Sequence, residues 1–129
     1  MTQLFLIFNH HLTTLQEADA KINLGVRQII APSETIQRLW SQIPPEQTKL
    51  SDYLQPVRDW LINQSSPGDY VLIQGDFGAV YIMIQIAFQL NLIPIYSTTR
   101  REAVEDHLPD GTVRLTHQFK HVTFRTYEK

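Results

Sequence analysis

The first polar cluster that could do chemistry is Asn9-His10-His11, directly after the apolar run Leu4 to Phe8. Histidine is the usual general acid or base because its pKa lies close to physiological pH. His10 is the better candidate because it lies nearer the apolar run. A solvent-exposed histidine at a strand end is the alternative for the other. No partner residue follows at metal-ligand spacing, so we predict no metal site.

A second cluster is the turn-rich loop Gln74 to Gly78, between two apolar segments. Its glycines let the backbone turn sharply and approach a phosphate closely. A helix that begins here would offer free N–H groups and partial positive charge to an anion. The loop is neither a GxGxxG fingerprint nor a Walker loop. The alternative is that Asp76 caps the helix and the glycines only make a turn. With Asn9, the candidate ligand-binding residues are Gln74, Gly75, Asp76, Phe77 and Gly78.

The third cluster, Ser97-Thr98-Thr99-Arg100-Arg101, follows the apolar run Ile93 to Tyr96. Hydroxyls and guanidinium forks suit phosphate oxygens, and arginine stays charged in any pocket. We therefore predict that the three hydroxyl residues bind the ligand and that both arginines stabilise phosphoryl charge. A cap followed by solvated charges is the alternative.

A fourth cluster lies in residues 119–127, which alternate aromatic or apolar residues with basic ones. In a strand, Lys120 lies on the face opposite His121 and Phe119. We interpret Lys120 and His121 as alternates to His10 for proton transfer, on a basic edge that reaches the ligand or a partner subunit. An ordinary half-buried strand is the alternative.

Hydrophobic periodicity predicts the elements that position these clusters. Predicted strands span 4–8, 26–31, 70–73 and 93–96, and predicted helices span 15–24, 33–43, 50–63 and 79–90. Thr13 or Thr14 and Ser33 are plausible caps. Beyond residue 99 we predict a short helix within 100–108, a turn at Asp110-Gly111, and strands over 112–120 and 121–127 that pair with each other.

This order predicts an α/β fold of Rossmann type, with a mostly parallel sheet flanked by helices and a C-terminal β-hairpin. Residues 1–129 are expected to form a single domain. Ligands bind outside the carboxyl ends of the strands in such sheets. The loops after residues 8, 73 and 96 should all open there.

Composition bounds the possible functions. Apolar residues make up 43% of the chain and charged residues 19%, which is typical of a globular fold. The net charge of −2 disfavours a general coat protein for long nucleic acid. The absence of cysteine excludes disulfides and thiolate chemistry and fits a cytoplasmic location. No signal peptide or membrane-spanning segment is predicted.

Four segments together carry a family resemblance: FNHHLT at 8–13, IQGDFGA at 73–79, YSTTRR at 96–101 and FKHVTFRTY at 119–127. They resemble the small CRISPR ancillary proteins of the Csx series, which are similar to ring nucleases and related to the CARF sensor fold. The resemblance covers most of the chain. It implies a CARF-like domain of type III CRISPR defence that binds cyclic oligoadenylate, usually cyclic tetra-adenylate, across the two-fold axis of a homodimer.

The resemblance also implies cleavage of the ring without metal or cofactor, giving linear di-adenylate with a 2′,3′-cyclic phosphate. A ribose 2′-OH attacks phosphorus in line while the 5′-oxygen leaves. Arg100, Arg101 and the N–H groups of 75–78 would stabilise the phosphoryl charge, and His10 would move a proton. A non-catalytic sensor or sponge of the same fold is the alternative. A phosphate-dependent metabolic enzyme is disfavoured because both nucleotide-binding fingerprints are missing.

Overall fold

A five-stranded mixed sheet with helices on both faces organises the structure. The computed structural model describes residues 2–129. The strand order is β2-β1-β3-β4-β5, in which β5 alone runs antiparallel to its neighbour. The strands are β1 (Gln3–Ile7), β2 (Gln28–Ile30), β3 (Tyr70–Ile73), β4 (Ile93–His107) and β5 (Val113–Thr126). The helices are α1 (Thr14–Asn23), α2 (Glu34–Ser41), α3 (Gln55–Gln64) and α4 (Phe77–Gln89).

Two apolar clusters lie on opposite faces of the sheet. Phe5 and Ile73 point toward α2, α3 and α4, whereas Leu4 and Leu72 point toward α1. Central parallel strands covered on both faces read as continuous apolar runs, which is why β1 and β3 carry almost no polar residue. The helix that leaves β1 and the helix that leaves β3 therefore cover different faces.

The predicted order of elements up to β4 is confirmed, and so are three predicted helix starts. Thr13 caps α1 in a capping box with Gln16, and Ser33 caps α2 by accepting from the N–H of Ile36. Asp76 caps α4 by accepting from the N–H of Ala79 at 3.0 Å. The third predicted helix begins later than expected, at Gln55, because residues 51–54 form turns before it.

Two predictions beyond residue 99 were wrong, the short helix within 100–108 and the pairing of 112–120 with 121–127. Residues 100–108 form no helix, because β4 continues as a strand to His107. Residues 112–120 and 121–127 do not pair with each other but make one strand, β5, which pairs with β4 from Ile95 to His107. The predicted turn at Asp110-Gly111 is confirmed as the connection, and Gly111 supplies its positive φ of 88°. The residues predicted as a short helix lie instead in an exposed two-stranded ribbon.

None of the helices within residues 2–129 has the length and apolar character needed to span a bilayer.

Candidate functional site

The segments that follow β1 and β3 meet β4 at the carboxyl edge of the sheet. The N–H of Gln74 donates to the carbonyl oxygen of Ile7 at 3.0 Å. The side chain of Gln74 then accepts from the N–H of Ser97 at 2.8 Å. Because the chain leaves β1 and β3 toward opposite faces, this edge is where a crevice forms in doubly wound sheets. A ligand site is therefore expected at this edge.

Ser97, His121 and Asp19 form a continuous hydrogen-bonded set next to this edge. The Ser97 Oγ lies 2.5 Å from His121 Nδ1, and His121 Nε2 lies 2.6 Å from Asp19 Oδ2. The side chains of His121 and Asp19 are only 4% and 11% exposed. Residues from β4, β5 and α1 thus converge in a largely water-excluded position. The set has the connectivity of a serine–histidine–aspartate relay, with the two ring nitrogens in exchanged roles.

A β-bulge brings His121 onto this face. Thr98 pairs with Thr123 but Thr99 pairs with His121, so Val122 is left without a partner on β4. In a regular strand His121 and Phe124 would point to opposite faces, because their positions differ by three, an odd number. The extra residue places both on the α1 face, where their rings lie 4.6 Å apart. Bulges commonly re-aim a side chain in this way next to active sites.

The electrostatics of Asp19 set the proton positions within the set. Burial raises the pKa of Asp19, but hydrogen bonds from Asn23 and His121 and the positive charge that His121 can carry outweigh it, so the pKa lies below its usual range. Asp19 is therefore a carboxylate and accepts the proton of His121 Nε2. In the neutral ring, Nδ1 then accepts from the Ser97 hydroxyl. His121 can take that proton while its other nitrogen stays anchored.

The predicted basic groups are divided between the two faces of the ribbon. Arg100 pairs across the strands with Lys120, so two positive side chains stand directly opposite each other. Like charges in that position destabilise a sheet unless an anion joins them. Arg101 points to the other face, the one that carries His121. Among residues 2–129, no ion pair is formed by Arg100, Arg101 or Lys120.

The hydroxyl residues of β4 are also divided. Ser97 and Thr99 face α1, and Thr98 faces the opposite side, where its hydroxyl bonds to the backbone of Thr123. The predicted role of Thr98 as a ligand-binding residue stays a prediction, and its described role is to hold the bulge. Gln16 of α1 reaches the Ser97 Oγ at 3.4 Å.

The loop from Gln74 to Gly78 combines tight packing with an exposed aromatic ring. A Cβ on Gly75 would lie 2.9 Å from the Trp40 indole nitrogen, which itself donates to the carbonyl oxygen of Gln74. Phe77, the first residue of α4, is 95% exposed. The capping role of Asp76 is confirmed, while ligand binding by this loop stays a prediction.

His10 lies apart from His121. Asn9, His10 and His11 are exposed, and β3 and β4 separate β1 from β5 in the sheet. His10 instead lines a cavity of about 330 Å³ on the β2 side, against residues that follow β2 and residues of α2. The cavity is lined by Leu6, Phe8, His10, His11, Leu12, Ala31, Pro32, Glu34 and Gln37. Among the described residues, no group of three histidine or carboxylate side chains is placed to hold a metal ion.

Asp19 and Gln16 are the site residues that sequence reasoning missed. Their signal was present: Gln16, Asp19 and Asn23 recur at helical spacing along one side of α1. A polar row on a helix usually faces solvent, so the pattern alone could not separate it from an ordinary exposed face. The row faces β5, where the bulge places His121 against Asp19.

Comparison with known proteins assigns the chain to a family. The Uncharacterized protein MJ1673 family matches residues 2–125. The relative that carries this name, from Methanocaldococcus jannaschii, is 47% identical over 127 residues, covering 98% of each chain. No solved structure matches. The family match extends from β1 into β5, and the chain therefore belongs to the MJ1673 family.

Proposed function

We propose that this protein is a metal-independent ring nuclease that binds and cleaves cyclic oligoadenylate, with cyclic tetra-adenylate as the first substrate to test. The proposal includes a CARF-like, Rossmann-type fold, a homodimer and a cytoplasmic location in type III CRISPR defence. The observation that carries it is the Ser97–His121–Asp19 set, an acid–base relay at the carboxyl edge of the sheet.

The relay supplies what the in-line attack of a ribose 2′-OH requires of a protein without metal. Asp19 holds the His121 ring in one orientation through a 2.6 Å hydrogen bond. His121 Nδ1 would accept a proton from the 2′-OH, either directly after displacement of the Ser97 hydroxyl or through that hydroxyl. The same proton would then be returned to the 5′-oxygen as it leaves. His121 thereby replaces His10 as the favoured acid–base group.

Charge and stacking groups around the relay fit a ring of alternating bases and phosphates. Arg101 shares the face of His121 and would stabilise the reacting phosphoryl group. The opposed Arg100 and Lys120 would hold another phosphate of the same ring, which would relieve their mutual repulsion. The Phe77 ring, nearly all of it in solvent, would stack on an adenine.

One observation favours the alternative of a sensor or sponge that binds the ring without turnover. The His121 side chain is 4% exposed and both of its ring nitrogens already have partners. Direct proton transfer from the 2′-OH to His121 would require a rearrangement of Ser97 when the ring binds. Binding alone would not require it.

The test is incubation of the protein with excess cyclic tetra-adenylate, with and without EDTA, followed by chromatography of the products. We expect linear di-adenylate with a terminal cyclic phosphate in both samples. His121→Ala should slow single-turnover cleavage by about 10² to 10⁴, the usual worth of acid–base catalysis, with little change in ring affinity. His10→Ala is the matched control and should cleave at nearly the wild-type rate.

The possible results separate the alternatives. Tight ring binding with no linear product would support the sensor. Loss of activity in His10→Ala with full activity in His121→Ala would move the site to the cavity beside β2. Absence of binding to cyclic oligoadenylates of every ring size would overturn the proposal.

A further inference from the structure

The outer ribbon, residues 99–107 of β4 with 113–121 of β5, carries an apolar surface that no other part of residues 2–129 covers between positions 101 and 119. Val113, Leu115 and Phe119 are 54%, 58% and 71% exposed. All three belong to one face of the ribbon, because they alternate along β5. Ala103 lies on the same face, opposite His117. The other face carries mainly charged and polar side chains.

A ribbon of this kind needs a partner. An isolated two-stranded ribbon is marginally stable at best in water, and exposed apolar patches mark interaction surfaces. The described part of the chain places no helix over this stretch, where all residues on the apolar face from 101 to 119 are exposed.

The charges on the apolar face are complementary to those of a second copy of the same chain, which we therefore take as the partner. Along β4 the face reads Arg101, Ala103, Glu105, so opposite charges stand at equal distances on either side of Ala103. A two-fold axis perpendicular to the strands, through the Ala103–His117 pair, would bring Arg101 onto the partner's Glu105 in the ligand-free dimer. It would also bring Phe119 onto the partner's Leu115. An axis parallel to the strands would instead place Arg101 over the partner's Phe119, with no charge match.

We infer that two chains associate face to face through their outer ribbons, about this two-fold axis. The pairing brings the hairpin turn of one chain to the site of the other. Residues equally far from Ala103 meet, so the partner's His107 and Val113 would lie beside α1, which covers His121 on this face. The partner's turn at 108–112 would then lie next to the Ser97–His121–Asp19 set. The inference does not depend on nucleotide chemistry, and its test uses no ligand.

Charge exchange on this face gives the first test. Sedimentation velocity of the wild-type chain at micromolar concentration should show a dimer. Arg101→Glu and Glu105→Arg should each raise the dimer Kd by about tenfold or more, because every pair across the axis becomes like-charged. The double variant should restore the dimer. Glu102→Arg, on the opposite face, is the matched control and should leave the Kd unchanged.

Cross-linking gives a second test that does not depend on charge. The chain has no cysteine, so a single introduced cysteine reports its own position. Ala103→Cys should form a covalent dimer rapidly with a short bismaleimide, and Val104→Cys should not. Circular dichroism of each variant would confirm its folding. A wild-type monomer, equal cross-linking at both positions, or a double variant that stays dissociated would each overturn the inference.

Discussion

His121 depends on its neighbours for any chemical role. Its ring is fixed at both nitrogens, by Ser97 from one side and by Asp19 from the other. The sequence placed His121 and Ser97 among the candidates but could not join them, because the residue that orients the ring comes from a helix about a hundred positions earlier. The sequence could therefore predict His121 and Ser97 as candidate site residues, whereas their hydrogen-bond partners depend on the tertiary structure.

Asp19 should make the stability of the protein depend on acid pH. Its pKa is lower in the folded protein than the usual value of about 3.9, so ionisation favours the folded state. The contribution is fully present above the usual pKa and is lost as the pH falls through the folded pKa. Asp19→Ala should cost about 1–3 kcal/mol at neutral pH, since it leaves the imidazole N–H without an acceptor.

Urea unfolding across pH would measure this dependence. The difference in unfolding free energy between wild type and Asp19→Ala should shrink as the pH falls below about 4. Asp52→Ala removes an exposed carboxylate and serves as the control. A difference that stays constant down to the acid transition would show that Asp19 does not contribute through its charge.

At the scale of elements, the predictable part of the fold was its parallel half. Strands β1 and β3 and helix α4 have local signals: apolar runs of strand length, a capping residue and glycine turns. In the outer ribbon only the β5 half had such a signal, the alternation that predicted a strand over 112–120. Residues 99–107 are mostly polar, and the strand that pairs with them lies beyond a turn, so the pairing is non-local and periodicity could not show it. The bulge was equally unreadable, because it is defined by the register between two strands.

Thr98 should stabilise the bulge and, through it, the position of His121. Its hydroxyl donates to the carbonyl oxygen of Thr123 at 3.0 Å and accepts from the N–H of the same residue at 3.2 Å. Thr98→Val keeps the shape and removes both bonds, so we expect a loss of about 1–3 kcal/mol and a changed environment for the His121 ring. Thr98→Ser should retain most of the stability.

Urea unfolding and the NMR signals of the His121 ring would report the two effects. Thr116→Val is the matched control, because that hydroxyl makes only one long bond, 3.4 Å, to Val104 elsewhere in the ribbon. If Thr98→Val and Thr116→Val behave alike, the hydroxyl of Thr98 does not hold the bulge.

At the scale of the whole molecule, the chain divides into a core that is covered on both faces and a ribbon that is not. The central strands β1 and β3 are flanked by other strands and packed between the two apolar clusters. Their amides should open only when the whole protein unfolds. The protection of the amides of residues 99–121 from hydrogen exchange should depend on the partner that covers the ribbon.

Hydrogen exchange should therefore resolve two levels of stability. In the proposed dimer of the wild-type chain we expect protection in both regions. In Phe119→Ser, which weakens the proposed ribbon contact, exchange in 99–121 should accelerate by at least about tenfold while β1 and β3 change little. Mass spectrometry of peptic fragments would measure both regions in one sample. Uniform acceleration across the protein would instead mean that the ribbon and the core unfold as one unit.

Because Val122 has no partner on β4, it sets which residues of β5 face α1, and so which residue is placed to be the proposed acid–base group. If Val122 occupied the place opposite Thr99, every outer residue of β5 would exchange faces. Lys120 would then join the α1 face with Arg101, and His121 would turn toward Arg100 on the other side. The chain thus encodes two chemically different surfaces in one strand, a histidine face and a lysine face. A register shift of one residue determines whether the histidine face or the lysine face lies against Asp19.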